Sequence, residues 1–144
     1  MNSLQHVNSV VTEQRRELKI MAAISYAKAV RISPRKVAVV ASLVRGRTVA
    51  DALVILSHTP RNSATAVTKA IKSAQANAVH NHNYKSTGLF ISEISVTNGT
   101  RYKRFRPVAR GMAHPFQLKT ANIRVVVDGE VRSKEVKTAK KEDK

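Results

Sequence analysis

Residues 101–116 read RYKRFRPVARGMAHPF: five Lys or Arg, one His and no carboxylate. Tyr102, Phe105 and Phe116 are interleaved with the charges, and Pro107 and Gly111 sit near the middle. Such a set can do binding rather than bond-making chemistry. Cationic side chains meet phosphates while aromatic rings stack on exposed bases, as in proteins that hold RNA and single strands. The alternative for the rings is cross-strand packing within a hairpin.

Other chemistry finds little support. His80 and His82 are two apart, so on a helix they face apart, and no Cys or carboxylate lies close by in sequence; a metal pair is not expected. They suit a helix C-terminus, where the dipole favours positive charge, or an RNA contact. His58 and His114 are loop candidates with no nucleophile partner, and nothing places a Ser/His/Asp triad. The five glycines are scattered singly, so there is no glycine-rich phosphate loop. Neither a cofactor nor an enzymatic role is expected.

Charge dominates the composition. The 144 residues hold 26 Lys and Arg against 9 Asp and Glu, a net charge of +17. That imbalance opposes compaction by self-repulsion and implies a polyanionic partner. From residue 52 to residue 127 the only acid is Glu93, against eleven Lys and Arg. Surfaces normally intersperse both signs, so this run reads as a footprint on phosphate, with Glu93 as a structural ion-pair partner. The absence of Cys excludes disulfides and fits a reducing compartment. No apolar run approaches the roughly 20 residues of a membrane span, and no membrane partner is expected. Residues 1–20 carry Glu13 and Glu17 and lack the apolar core of a signal peptide.

The elements that must position these residues can be placed in order. Residues 1–22 read as a disordered arm; patterning starts just after Met21, a candidate true start. YAKAVRI, residues 26–32, alternates as a short strand with Tyr26, Lys28, Val30 and Ile32 on one face. Ser33 and Pro34 open a helix with Val37, Val40, Ala41 and Val44 at helical spacing, which Gly46 stops. Thr48, with Asp51 three residues on, caps a second helix whose stripe is Val49, Ala52, Leu53 and Leu56. Thr59 and Pro60 repeat the signal and open a third helix, running to about residue 81, with Ala64, Val67, Ile71, Ala74 and Ala78 inward. So small a face requires close neighbours, while Lys69, Lys72 and Asn77 point elsewhere. Residues 89–96 and 118–127 are β-rich strands, and Asp128-Gly129 is a turn. Residues 130–144, with six Lys and Arg and four acids, read as a disordered basic tail.

The two strands flank residues 97–117. Paired as a hairpin with Pro107 and Gly111 bracketing the turn, they set Val96 near Asn122 and Ile94 near Arg124. Ile94, Val96, Ile123, Val125 and Val127 lie at a base that the helices can cover. Beyond it, ten residues at roughly 3.3 Å each make an arm of about 30–35 Å, too long for these helices to support. An isolated two-stranded arm is marginal in water, so an anionic surface must order it. Phe116, nearest the base, is expected to pack across the strands, and Phe105, near the tip, to be exposed.

AVRISPRKVAVVASLVRGRTVADAL, IKSAQANAVHNHN, LFISEISVTNGTRYKRFRPVARGMA and IRVVV, in this order over about residues 26–127, resemble the large-subunit ribosomal protein twenty-two family of the bacterial type. The resemblance implies an α+β fold: three helices packed on a small antiparallel three-stranded sheet, with a long protruding β-hairpin. It implies one ribosomal-protein domain over residues 23–129, hairpin at about 97–121. It also implies a structural constituent of the large ribosomal subunit, cytoplasmic and in the ribosome. Its partners would be 23S ribosomal RNA, other large-subunit proteins and the nascent polypeptide, with one copy per particle and the hairpin lining the peptide exit tunnel.

Residue by residue, Ser33, Arg35 and Lys36 match the basic start of the family's first helix, and Arg45, Gly46 and Arg47 its end. Lys72, Ser73, Asn77 and Asn81 match the polar face of the long helix. Gly99, Lys103, Arg104, Pro107, Ala109, Arg110 and Gly111 match the hairpin. With Arg31, Lys69, Arg101, Arg106 and Lys119 these supply the expected rRNA-binding set. Phe105, Pro107, Val108, Ala109, Arg110, Gly111, Met112 and His114 are the expected tunnel-lining tip. Val108 and Met112 stand where the family usually has basic residues, Val79 replaces a common acid, and Arg101 and Arg106 stand where less charged residues are frequent. A second class, a DNA-binding architectural protein gripping a duplex with a basic β-arm, shares the charge and the arm but usually needs a dimer. No strong apolar dimer face is evident.

Overall fold

The helix boundaries follow from local chemistry. In the computed structural model, which describes residues 22–130, Ser33 stands at the N-cap and Pro34 at the first position of α1 (Pro34–Val44). Pro has no N–H to lose there, and its φ is already helical. Gly46, at φ +73°, turns the chain out of the helix in a conformation that L side chains rarely adopt. Thr48 caps α2 (Val49–His58): its hydroxyl accepts from the Asp51 N–H at 3.2 Å and donates to the Asp51 carboxylate at 2.7 Å. The expected N-terminal arm up to Met21 and the tail from residue 131 lie outside the described residues.

The third helix, α3 (Asn62–His80), begins two residues beyond Pro60. Thr59 closes α2 instead, its N–H reaching the Leu56 carbonyl at 3.3 Å and its hydroxyl donating to the Ile55 carbonyl at 2.7 Å. The physical reason is the proline. The residue before it is pushed out of the helical region, and Thr59 has ψ 110°. The expected inward stripe of α3 is all buried, joined by Ser63 and Ala70.

Three strands follow the expected antiparallel plan: β1 (Ala23–Val30), β2 (Phe90–Pro107) and β3 (Ala113–Asp128), in the order β1-β3-β2. The first starts earlier than residue 26 and presents the opposite face. Ala23 and Ser25 are buried, whereas Tyr26 is 62% exposed. Val30 and Ile32 do pack against the core. The parity changes at Ala29, whose φ of 55° places it in the left-handed region and whose N–H is held by the Asn122 Oδ1 at 2.9 Å. That bulge lets polar Tyr26 and Lys28 face out before Val30 and Ile32 turn in.

The hairpin register differs by one residue from expectation. Ile94 pairs with Val125 and Val96 with Ile123. Apolar residues thus stand opposite apolar ones, and a slip of one would send a whole face into water. A further shift of one residue, in the same direction, lies between Asn98 and Arg101. There Thr120 donates to the Thr100 carbonyl at 2.6 Å, and a Cβ on Gly99 would collide with the Thr120 hydroxyl. Only glycine lets the strands come this close.

The helices cover one face of the sheet. Val37, Val40 and Val44 of α1, Leu56 of α2, and Val67, Ile71 and Ala74 of α3 form one core with Ile91, Ile94, Ile123, Val125 and Val127. The small side chains of α3 allow close approach to β1: Ser25 donates to the Ala70 carbonyl at 2.8 Å, and the Asn77 amide to the Ile24 carbonyl at 2.9 Å. The outer edge of β2 is paired at its base, where Gly46 N–H meets the Ile91 carbonyl at 3.1 Å and Ile91 N–H the Arg47 carbonyl at 2.9 Å. That closes an edge otherwise open to aggregation. Among the described residues, no helix is long and apolar enough to cross a membrane.

Candidate nucleic-acid interface

Beyond the last β1 partner, Ala121, the sheet narrows to two strands. Every residue from Arg101 to Pro115 is exposed, so this arm has no core of its own. Its ladder closes at Pro107–Ala113, and the turn spans residues 108–112. Val108 N–H donates to the Met112 carbonyl at 2.9 Å around a short 3-10 turn, Ala109–Gly111. Pro107 and Gly111 therefore do not bracket the turn as expected: Pro107 is in the last ladder pair, and Gly111 (φ 69°) lies inside the turn. Arg110 also takes a positive φ of 60°, unusual for a residue with a side chain.

Alternation along the strands sorts the arm into two faces. Arg101, Lys103 and Phe105 share one with their partners Lys119, Gln117 and Pro115. Tyr102, Arg104 and Arg106 share the other with Leu118, Phe116 and His114. Arg101 and Lys119 stand directly opposite, a like-charge pairing that destabilises a strand pair. On the second face the Arg106 guanidinium lies 5.5 Å from the centre of the Phe116 ring, a cation–π contact. Phe116 is half-buried and Phe105 is 75% exposed. One ring staples the arm, and the other is free to stack on a base. Tip residues Phe105, Val108, Met112 and His114 are likewise exposed.

Among the described residues the arm cations meet no acid. Among the described residues the ion pairs are Lys85–Glu130 at 3.1 Å and Arg124–Glu93 at 3.3 Å, both in the body. Glu93 is thus held by the sheet, as its isolation in the sequence predicts. Arg104 donates only to its neighbour's carbonyl, at 2.8 Å.

On the body the expected residues divide. Arg31, Arg35, Lys36, Lys69, Lys72, Ser73 and Asn81 are exposed, and Ser33 is half-buried. Three others are engaged by the fold itself. Arg45 donates to the Ile94 carbonyl at 3.1 Å, Arg47 to the Leu43 carbonyl at 2.9 Å, and Asn77 to β1 as described. Spacing cannot distinguish a polar residue that faces solvent from one that tethers another element. His82 stacks on Tyr84 with ring centres 6.0 Å apart. Among the described residues no three His, Cys, Asp or Glu converge as a metal site.

Arg31, Ser33 and Lys36 converge with Ile32, Arg61, Asn62 and Ser63 on a cleft of about 460 Å³. Arg61 and Asn62, at the start of α3, are absent from the expected set.

Residues 25–128 match the family model described as ribosomal protein L22p/L17e. This chain belongs to that family. Large ribosomal subunit protein uL22 of Lactobacillus gasseri is 48% identical over 109 residues, which are 76% of this chain and 93% of that protein. The uL22 protein of Oceanobacillus iheyensis is 48% identical over 107 residues, 74% and 95% of the two chains. That of Lacticaseibacillus casei is 45% identical over 109 residues, 76% and 93%. The family is a structural one of the ribosome and not an enzyme family, and the arm and the three-helix body both lie within the matched span.

Proposed function

We propose that this protein is a structural constituent of the large ribosomal subunit, working in the cytoplasm. It binds 23S ribosomal RNA through the body and the arm and lines the nascent-peptide exit tunnel with the arm's tip. One copy sits in each particle, beside other large-subunit proteins. The observation that carries this reading is the arm: two strands with no core, exposed from Arg101 to Pro115, with Arg101 directly opposite Lys119. Alone, this geometry costs stability. Enclosed by phosphates, the attraction of both cations to the RNA outweighs their mutual repulsion.

The mechanism is charge neutralisation joined to shape. RNA segments that repel one another can approach only when cations stand between them, and each phosphate contact releases counterions. Lys103 and Arg104 lie on opposite faces of the arm, so the arm can meet phosphate on both sides as it threads between RNA segments. Guanidinium groups add forked contacts that a lysine cannot make. Tip residues Pro107, Val108, Ala109, Arg110, Gly111, Met112 and His114 then face the passing polypeptide. Val108 and Met112 make this tip more apolar than the resemblance implies, which lowers its attraction for acidic nascent segments.

Lys103→Glu with Arg104→Glu tests the reading. The expected result is defective large-subunit assembly in sucrose gradients, or altered tunnel density in the assembled particle, with a body that melts as in the wild type. A normal gradient profile together with unchanged tunnel density overturns it. Co-sedimentation with nucleoid rather than with 50S particles after a high-salt wash would overturn it too.

A further inference from the structure

We infer that the cleft between the starts of α1 and α3 is a seat for one backbone phosphate of RNA, clamped by Lys36 and Arg61 with Arg31 at its rim. This rests on the ribosomal RNA reading above and names a contact within it. The side chains come from three places in the sequence: Arg31 from the loop after β1, Lys36 from the first turn of α1, and Arg61 from the residue before α3. All three are exposed, and no acid appears among the cleft's lining residues. Three cations gathered in one concavity, with no acid among the described residues that line it, concentrate positive potential there.

The walls add to the same field. Neither α1 nor α3 has a side-chain cap or an acid in its first turn, whereas α2 has both in Thr48 and Asp51. Two positive helix ends therefore open toward the cleft with no compensating carboxylate. Ser33 and Asn62 supply neutral polar groups on the lining. The site is also braced: Ser63, itself buried, donates to the Lys36 carbonyl at 3.3 Å and ties the two helices together beneath the opening. A volume of about 460 Å³ lies within the range of pockets that hold small ligands. It has room for a phosphate with its flanking sugar, and the lining cations are matched to the phosphate. The seat thus reads backbone position and carries no sequence information.

The test is filter binding of the full chain to in vitro transcribed 23S RNA across a salt series. Wild type is compared with Lys36→Gln plus Arg61→Gln, and with Lys28→Gln, which removes an exposed charge from the opposite face of the sheet. One shared phosphate predicts that the double variant lowers the log–log salt slope by about 0.7–0.9 in total, while Lys28→Gln keeps the wild-type slope. Melting curves of all three are expected to coincide, because the substituted side chains are exposed. An unchanged slope in the double variant overturns the seat. So does a fall twice as large, which means two independent contacts, or an equal fall for Lys28→Gln, which means bulk charge. Failure of the wild type to bind 23S RNA overturns the ribosomal RNA reading itself.

Discussion

At the scale of single residues, side chains that look alike in the sequence divide by what the fold asks of them. Arg45, Arg47 and Asn77 tether carbonyls of neighbouring elements or of their own helix, while Lys69, Lys72 and Arg35 remain exposed. The ionisation of Tyr84 responds to the fold. Burial, with the Asp128 carboxylate adding to it, pushes its phenol above the ordinary 10.0. The fold therefore holds the neutral form. Its contribution is complete below pH 10.0 and is lost as pH rises through the raised value. As pH rises from about 10, the wild-type melting temperature is expected to fall more steeply than that of Tyr84→Phe. Identical slopes in thermal melts of the two proteins would show that Tyr84 plays no part in the alkaline limit.

At the scale of elements, the body and the arm obey different physics. The body hides an apolar face of each helix against one sheet face, with β3 paired on both sides and the base of β2 closed by the chain after α1. The arm keeps ladder hydrogen bonds but buries almost no apolar area, so only backbone pairing and the Arg106–Phe116 contact resist its opening. Local opening free energy follows buried contacts. Amides of residues 101–106, 113, 114 and 116–119 are expected to exchange with solvent at least about 100-fold faster than those of α3 in the free protein. They should become protected once 23S RNA is bound. Hydrogen–deuterium exchange read by mass spectrometry checks both halves. Equal protection of arm and α3 in the free protein would mean that the arm folds against something within the chain.

At the scale of the whole molecule, net charge sets the terms on which the chain is compact. A charge of +17 on 144 residues repels itself wherever water is the only screen. Among the described residues two exposed or half-exposed ion pairs relieve it, and such pairs are worth little each. Salt should therefore stabilise the free protein: its melting temperature is expected to rise by several degrees between about 0.05 and about 0.5 M sodium chloride as the screening length shortens. The same salt should weaken its grip on RNA. A melting temperature that falls over this range would show that attractive rather than repulsive charge interactions dominate the free fold.

The amino-acid sequence by itself determined the features that rest on local chemistry or on a long regular pattern. Ser33-Pro34, Gly46 and Thr48 mark helix ends because a cap, a stop and a fixed φ act within a few residues. The inward stripe of α3 was legible because five residues repeat at helical spacing. The arm was legible because no core-forming pattern accompanies its charges. Tertiary structure alone decided the rest. The face of β1 turns on a bulge at Ala29 that an amide from β3 stabilises across the sheet. The register of the hairpin turns on how closely Gly99 lets Thr120 approach. The cleft at Arg31, Lys36 and Arg61 exists only because two helices distant in sequence begin side by side. In each case the deciding energy lies between residues far apart along the chain, where neither propensity nor periodicity carries information.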